Sequence, residues 1–160
     1  MIKITQFDDK YTQDVIDLVL HFQNDGTRPL VTVDDQPDML HITDAYINAG
    51  GNFWSALDDG RLAGTIGIMP CGDDTAVLKK FFVYEKYQGE PHHMGQQLYA
   101  YFLEFAKEKG FKTIMPDTPF NTVRAHRFYE RAGFEKVTED ELPIKFSHPY
   151  KDCGFFMLNL

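Results

Sequence analysis

The stretch LKKFFVYEKYQGEPHHMGQQLYAYFLEFAKEKG, residues 78–110, contains a strand pattern, a polar loop and an amphipathic helix pattern in direct succession. The segment from Ala76 to Val83, apolar except for its two lysines, predicts a strand. Residues 85–93 are mostly polar and include glycine, proline and histidine, which is typical of a loop. Apolar residues then recur at helical spacing until Gly110, a natural C-cap. The stretch therefore predicts a strand that leads through a tight loop into the N-terminus of a helix.

A loop of this kind can bind an anion, because the free amides of the first helical turn and the helix dipole both favour negative charge. Gly89, Gly95 and the polar Gln96 would let a pyrophosphate approach the backbone closely. Many strand–loop–helix units bind no phosphate, so the residues alone leave a purely structural loop open as the alternative.

The residues before this stretch predict an antiparallel meander. Two apolar runs, 53–57 and 62–68, are separated by Asp58-Asp59-Gly60, and Asp-Gly supplies the positive φ of a tight hairpin turn. Gly72-Asp73-Asp74 predicts a second turn into the strand that ends at Val83. Upstream, residues 2–7 alternate like a strand, residues 11–22 follow the spacing of an amphipathic helix, and a second helix is expected from Pro37 through Tyr46.

The residues after Gly110 predict a strand, a helix and two further strands. Residues 111–115 form the strand pattern, which Pro116 is expected to end, and Asn121 would cap a helix that stops at Gly133. Residues 134–137 and 154–160 complete the pattern. The order predicts a single α+β (mixed α/β) domain over residues 1–160, with a mostly antiparallel central sheet of about six to seven strands and about four helices.

Composition narrows the function classes. The chain has 160 residues, of which 43% are hydrophobic, so it can form a core. The net charge of −8 would repel a polyanion, which argues against nucleic acid and allows a cationic amine. No stretch approaches the roughly 20 apolar residues of a membrane span, and the first residues lack the pattern of a secretory signal. The composition predicts a cytoplasmic protein with no membrane partner.

Metal chemistry is not predicted. His92 and His93 are adjacent but lack further ligands at a known spacing, and Cys71 and Cys153 match no metal site. The neighbouring lysines Lys79 and Lys80 are interpreted as one exposed and one inward strand position.

A second informative segment, NTVRAHRFYERAGF, spans Asn121 to Phe134. Its pattern, Asn-x-x-x-Ala-x-x-Phe-Tyr-x-x-x-Gly-Phe, resembles the second acetyl-CoA motif of the GNAT superfamily of N-acetyltransferases. The stretch that begins at Leu78 is similar to that superfamily's main motif, in which a strand reading Leu-x-x-Phe/Leu-x-Val leads into a Gln/Arg-x-x-Gly-x-Gly/Ala loop. The order of elements is also similar to the GNAT order, so the resemblance covers nearly the whole chain and implies a GNAT-like acyl-CoA N-acyltransferase fold.

The loop departs from the family pattern in its length. Glu90-Pro91-His92-His93 makes it about two residues longer, so the middle glycine position falls at His93 and the Gln/Arg position at Gln88 or Glu90. Pro91 has no N–H to donate. The pyrophosphate cradle is therefore expected to be reshaped.

The resemblance implies an N-acetyltransferase that moves an acetyl group from acetyl-CoA to a primary amine by direct attack through a tetrahedral intermediate. It implies that a strand amide, for which we choose Val83, stabilises the oxyanion, and that Tyr129 is the general acid for the leaving thiolate. The implied acetyl-CoA contacts come from two strand residues, the loop with the start of the helix that follows it, and the helix that Asn121 would cap: Phe82, Val83, Gln88, Gly89, His93, Met94, Gly95, Gln96, Asn121 and Ala125.

The general base and the acceptor are not determined by the sequence. Many family members carry glutamate where this chain has Val77, so Glu85, His148 and Tyr150 are the candidates for a base. Two alternatives to an enzyme stay open: a non-catalytic acyl-CoA-binding or interaction domain, and a structural protein of the same fold without a ligand. Dimers are the commonest soluble assemblies, so a homodimer is also open.

Overall fold

The computed structural model describes residues 1–24, 26, 30–119, 122–145 and 153–160. Its helices and strands follow in the order β1 Ile2–Gln6, α1 Thr12–Gln23, β2 Asn52–Asp58, β3 Arg61–Pro70, β4 Thr75–Val83, α2 Met94–Glu108, β5 Thr113–Pro119, α3 Val123–Arg131, β6 Glu135–Val137 and β7 Cys153–Asn159. Short 3-10 helices lie at Asp9–Tyr11, Val33–Asp35, Pro37–Leu40, Glu85–Tyr87 and Glu139–Glu141, and a π-helical turn lies at Thr43–Ile47.

The described strands form a seven-stranded sheet in the order β1-β2-β3-β4-β5-β7-β6. β4 and β5 are parallel, and the other neighbouring pairs are antiparallel. The predicted meander and the mostly antiparallel α+β class are confirmed. The predicted second helix is wrong as one continuous element, because residues 37–47 form a 3-10 helix and a π-helical turn instead.

The two parallel strands pair over only four residues. The ladder runs from Thr75 opposite Thr113 to Leu78 opposite Pro116, after which β4 stays with β3 and β5 stays with β7. Thr113 N–H donates to the carbonyl of Asp74, beside β4, and Leu160 N–H donates to that of Lys112, so the odd-numbered residues of β5 face β4 and Pro116 faces β7. The next rung with β4 would need an N–H from Pro119, which has none. The prediction that Pro116 ends the strand is wrong: β5 continues to Pro119, and what ends is its pairing with β4. The open wedge that follows, between residues 79–83 of β4 and 117–119 of β5, is called the fork below.

A β-bulge lies in β4 at the start of the fork. Thr65 pairs with Phe82 and Gly67 pairs with Lys79, so Lys80 and one further residue of β4 together face a single residue of β3. Lys80 has a φ of +54°, unusual for a residue with a side chain, and its carbonyl accepts a 2.7 Å hydrogen bond from Thr65 Oγ1.

The bulge turns Lys79 and Lys80 toward the same side of the sheet. Lys79 lies 3.7 Å from an Asp117 carboxylate oxygen, and Lys80 lies 3.9 Å from one of Asp38. The expectation of one exposed and one inward lysine is wrong, because both are buried. An extra residue in a strand cancels the alternation on which that expectation rests.

Apolar side chains cover both faces of the sheet. On the α1 face, α1 and the segment 37–47 pack through Val15, Val19, Met39, Tyr46 and Phe53. On the opposite face, α2 buries Met94, Leu98, Phe102 and Ala106, four residues apart along one stripe, in a cluster that also contains Tyr129 and Phe134. The fork therefore lies within the sheet, between these two apolar layers.

Gly67 has no room for a side chain. A Cβ there would lie 2.8 Å from a ring carbon of Phe53 and 3.0 Å from one of Tyr46, and both rings are fully buried. We expect Gly67→Ala to lower the free energy of unfolding by about 1–3 kcal/mol through overpacking. Urea unfolding measures this, and a variant as stable as the parent would show that the two rings can move apart without cost.

Candidate functional site

The N-terminus of α2 presents backbone amides without a capping side chain. His93 occupies the N-cap position in the left-handed conformation, with φ and ψ both 45°. Its side chain makes no capping hydrogen bond to the first turn of the helix within the described residues. The amides of Met94, Gly95 and Gln96 therefore point toward the loop. Pro91 lies outside this turn, so its missing N–H removes no donor from it.

The loop before α2 is fastened to the end of β4. Gln88 Nε2 donates a 2.7 Å hydrogen bond to the carbonyl of Val83, and His93 N–H donates to the carbonyl of Gly89 at 2.7 Å. Gly89 has a φ of +66° and open space around it, as a loop glycine needs. The two bonds tie the loop that leads into α2 to the end of β4, the strand that borders the fork.

The side chains of this loop differ in what they can contact. Met94 is fully buried in the core, so only its backbone can meet a ligand. His93 and Gln96 are exposed. A Cβ on Gly95 would meet Phe81 at 3.6 Å, an ordinary contact distance, so the site tolerates a small side chain there.

Val83 turns its backbone groups into the fork. Tyr84 N–H donates to the carbonyl of Ala63 at 2.9 Å, which makes Tyr84 and Ala63 a hydrogen-bonded pair of the antiparallel ladder. Such pairs alternate with pairs whose backbone groups point outward, so the N–H and C=O of Val83 face away from β3. The bond that Gln88 donates to the Val83 carbonyl agrees with this direction.

The backbone groups of Phe82, unlike those of Val83, face β3. Its backbone pairs with Thr65 in the next hydrogen-bonded position, and its ring stacks on Phe22 of α1 with centroids 5.7 Å apart. Any contact that Phe82 makes with a ligand would come from its ring, on the α1 face. Its predicted role at the cofactor stays a prediction.

Tyr129 lies on α3 inside an aromatic cluster. Its ring is 4% exposed and meets Phe134 at 5.2 Å and Phe156 at 5.7 Å between centroids. Ala125, half-buried, lies one helical turn earlier on the same helix. The predicted cap Asn121 lies outside the described residues, and the N-cap position of α3 is Thr122.

The candidate general bases differ in their contacts. Glu85 hydrogen-bonds His21 Nε2 at 2.9 Å, and its own backbone N–H together with His21 holds the pKa of its carboxyl below the usual range. A carboxylate with a lowered pKa is a weaker base. Val77 is buried against Met115 and Leu142, which leaves no polar group at that position. His148 and Tyr150 lie outside the described residues.

Sequence reasoning missed a buried polar cluster on the α1 face, behind the fork. Lys80, Gln36 and Gln23 are each at most 5% exposed, and Asp38 and Tyr46 adjoin them. The signal in the sequence was a pair of lysines in an apolar strand. Their common direction depends on the bulge, which the sequence does not reveal.

Metal ligands and membrane-spanning helices are not found in the described part of the chain. There, no three His, Cys, Asp or Glu side chains are grouped so that they could share a metal ion. No helix within these ranges is long and apolar enough to cross a bilayer.

Comparison with known proteins agrees with this architecture. Probable N-acetyltransferase camello of Xenopus tropicalis is 32% identical over 109 residues, which are 66% of this chain and 49% of that protein. The chain thus spans about half the length of the curated relatives it matches. An acetyltransferase from Streptococcus agalactiae has a TM-score of 0.93 and 34% identity, covering 99% of this chain and 98% of its own.

A more distant structure shares the fold. A putative acetyltransferase from Salmonella typhimurium, solved with its cofactor acetyl-CoA, has a TM-score of 0.73 and 16% identity over 99% of this chain and 94% of its own. Residues 17–134, from α1 through the Gly-Phe that follows α3, match the acetyltransferase (GNAT) family. The predicted GNAT-like fold and acyltransferase class are confirmed at the level of the family: the chain belongs to the acetyltransferase (GNAT) family.

Proposed function

We propose that residues 1–160 form a single acyltransferase domain that transfers an acetyl group from acetyl-CoA to a primary amine of a small molecule or peptide. The observation that carries the proposal is the fork between β4 and β5, with the uncapped N-terminus of α2 at its open end. Free helix amides and a slot for an extended chain would thereby be adjacent, which suits a long cofactor with a pyrophosphate and a thioester.

The residues present fit acetyl-CoA. The amides of Met94, Gly95 and Gln96 would hold the pyrophosphate, because free amides and the helix dipole both favour an anion. The Val83 N–H, directed into the fork, would donate to the pantetheine arm or to the thioester oxygen. Gln88, Gly89 and His93 would shape the loop, and acetyl-CoA bound there supplies the activated acyl group.

Two groups would act on the reaction itself. The Val83 amide would stabilise the negative charge that develops on the thioester oxygen when the amine attacks. Tyr129 would donate the proton that the departing thiolate needs. No metal is required for either step.

Binding and turnover test the proposal. Acetyl-CoA at 100 times its Kd is expected to stabilise the folded state by about 2.7 kcal/mol, measured as a rise in Tm. Thiol release is expected with at least one member of a panel containing benzylamine, spermidine and a lysine-containing tripeptide. Binding without release from any amine would favour the non-catalytic domain, and no binding at millimolar acetyl-CoA would favour the ligand-free structural protein.

Gly95 offers a matched pair of variants for the phosphate site. The Cβ of either Gly95→Asp or Gly95→Asn meets Phe81 at an ordinary contact distance, and the two side chains have nearly the same shape, but only aspartate adds a negative charge beside the α2 amides. We expect Gly95→Asp to weaken acetyl-CoA binding at least tenfold more than Gly95→Asn. The aspartate should not lower the stability of the free protein, since a negative charge suits a helix N-terminus. Equal affinities would place the pyrophosphate elsewhere.

The cellular location and the oligomeric state are also part of the proposal. The composition supports a cytoplasmic location, and a homodimer is the assembly against which a measured mass should be compared.

A further inference from the structure

The polar cluster behind the fork is tightly connected, and we call its five members the Lys80 cluster: Gln23, Gln36, Asp38, Tyr46 and Lys80. Gln23 and Gln36 donate to each other's side-chain oxygens at 2.8 and 2.5 Å, and Lys80 Nζ donates to Gln36 Oε1 at 2.5 Å. Tyr46 OH donates to Asp38 Oδ2 at 2.6 Å. The cluster joins α1, the 3-10 helix Pro37–Leu40, the π-helical turn and the bulge of β4.

The surroundings of Lys80 suit a neutral amine better than an ammonium. An ammonium carries three donors, yet within the described residues only Gln36 accepts a hydrogen bond from Nζ. Asp38 is 3.9 Å away, beyond hydrogen-bonding distance. Burial lowers the pKa of Lys80, an effect that Asp38 and Asp117 oppose and Lys79 reinforces.

Lys80 lies on the same strand as Val83, beside the fork. It is the second residue of β4 after the ladder with β5 ends, and it precedes Val83 by three residues. Its side chain contacts Gln36 and Asp38, beside the segment that packs with α1, so it is on the α1 face, opposite the face against which α2 packs. Neither the buried Val77 nor Glu85, whose pKa is lowered, supplies a good base here.

We propose that Lys80 is the general base, taking from the acceptor ammonium the proton that must leave before the nitrogen can attack. This inference rests on the proposed function. In the step, the acceptor N–H bond breaks and a Nζ–H bond forms, so the lone pair of the acceptor becomes free to attack the thioester carbon. When the C–S bond then breaks, the thiolate takes the proton of Tyr129, and the second proton that the nitrogen loses restores Tyr129. Asp38 then faces a charged Lys80, and the proton passes to solvent before the next turnover.

A general base is needed only by an acceptor amine that is protonated at neutral pH. An alkyl primary amine has a pKa near that of lysine, about 10.4, so almost all of it is protonated at neutral pH and needs a base. An arylamine or hydroxylamine is already neutral there and needs none. The Lys80 cluster is therefore expected to serve an alkyl amine.

Two substitutions separate a base from a structural lysine. Lys80→Met keeps the length and the apolar stem without the nitrogen, and Lys80→Arg keeps a positive charge that cannot be released. Both are expected to lower kcat/KM at neutral pH about a hundredfold with the fastest alkyl amine of the panel, the lower end of the effect of a positioned base. Both should leave the Tm shift by acetyl-CoA unchanged.

The kinetic test also includes a pH profile and a second acceptor, hydroxylamine. In the Lys80→Met variant, log kcat/KM for the alkyl amine should keep rising with pH up to the pKa of the amine, while the wild-type value levels off earlier. With hydroxylamine as acceptor, the variant and wild type should react at similar rates. Full activity of Lys80→Arg would assign Lys80 a role as a fixed charge, and full activity of Lys80→Met a role in packing; either would overturn the proposal.

A measurement without any acceptor tests the neutral state directly. The Nζ and Cε resonances of isotopically labelled lysine are followed by NMR against pH, with Lys80→Met identifying the Lys80 signal. Titration below the ordinary range is expected, and titration at or above it overturns the proposal. If acetyl-CoA binds but no amine is acetylated, the proposed function fails, whereas turnover with an unchanged Lys80→Met profile overturns only the role of Lys80.

Discussion

Replacing Tyr129 with phenylalanine is expected to lower kcat for acetyl transfer about 10³-fold, within the range for loss of a positioned general acid. Phenylalanine keeps the ring, so the packing against Phe134 and Phe156 should survive. The Tm shift by acetyl-CoA should then stay close to that of the parent protein. The measurement is steady-state thiol release with the best amine of the panel, together with thermal unfolding.

Tyr99→Phe is the matched control for this change. Tyr99 lies on α2 in the same aromatic cluster, with its ring 5.5 Å from that of Phe128. Its hydroxyl is buried without a hydrogen-bond partner in the described part of the chain, and burial raises its pKa to about 12. Removing such a hydroxyl should leave stability equal or higher and activity unchanged. If Tyr129→Phe also keeps its activity, Tyr129 is a core residue and the thiolate takes its proton from another source.

Removing the amide donor of Val83 is expected to have an effect of similar size. Loss of one oxyanion donor costs about 10²–10³ in kcat, or roughly 2.7–4 kcal/mol of transition-state stabilisation. Val83→Pro deletes the N–H, and because this N–H faces away from β3, no bond of that ladder is lost. Thiol release, with acetyl-CoA binding measured in parallel, detects the change.

Val83→Ala provides the comparison, since it loses the same packing in the core but keeps the amide. Alanine should therefore lower stability while retaining most of the activity per folded molecule. If proline and alanine variants have the same kcat, the oxyanion donor is a different amide. In that case Phe81, the residue after Lys80 in the bulge, is the next to test.

Much of the fold could be predicted from local patterns. Asp58-Asp59-Gly60 marks a tight turn, and the stripe on α2 marks a buried helical face; both signals need only neighbours in the chain. The second helix failed because segment 37–47 is held by contacts of Tyr46 with Asp38 and Phe53. Those contacts stabilise tighter and wider turns than a regular α-helix, and no local propensity encodes them.

The site was predicted unevenly for a related reason. Loop glycines and the Phe-Tyr pair of α3 carry a recognisable spacing, so the sequence alone proposes an anion site and Tyr129, and both stay predictions. The sequence does not propose Lys80, because its direction depends on a bulge whose left-handed residue is a lysine rather than the expected glycine. Asp38 and Gln36 approach it only after α1 and the short helices pack on the sheet.

Pro119 has a final consequence for the slot between the two strands. Two adjacent parallel strands with free N–H and C=O groups would tend to pair when no ligand separates them. Here the next rung of the ladder needs an N–H from Pro119, which has none, and the Lys80 carbonyl that would accept it is bonded to Thr65 Oγ1 instead. The slot is therefore open before a ligand enters, so an incoming chain breaks no β-ladder. Replacing this proline with a residue that has an N–H would allow the sheet itself to compete with the ligand.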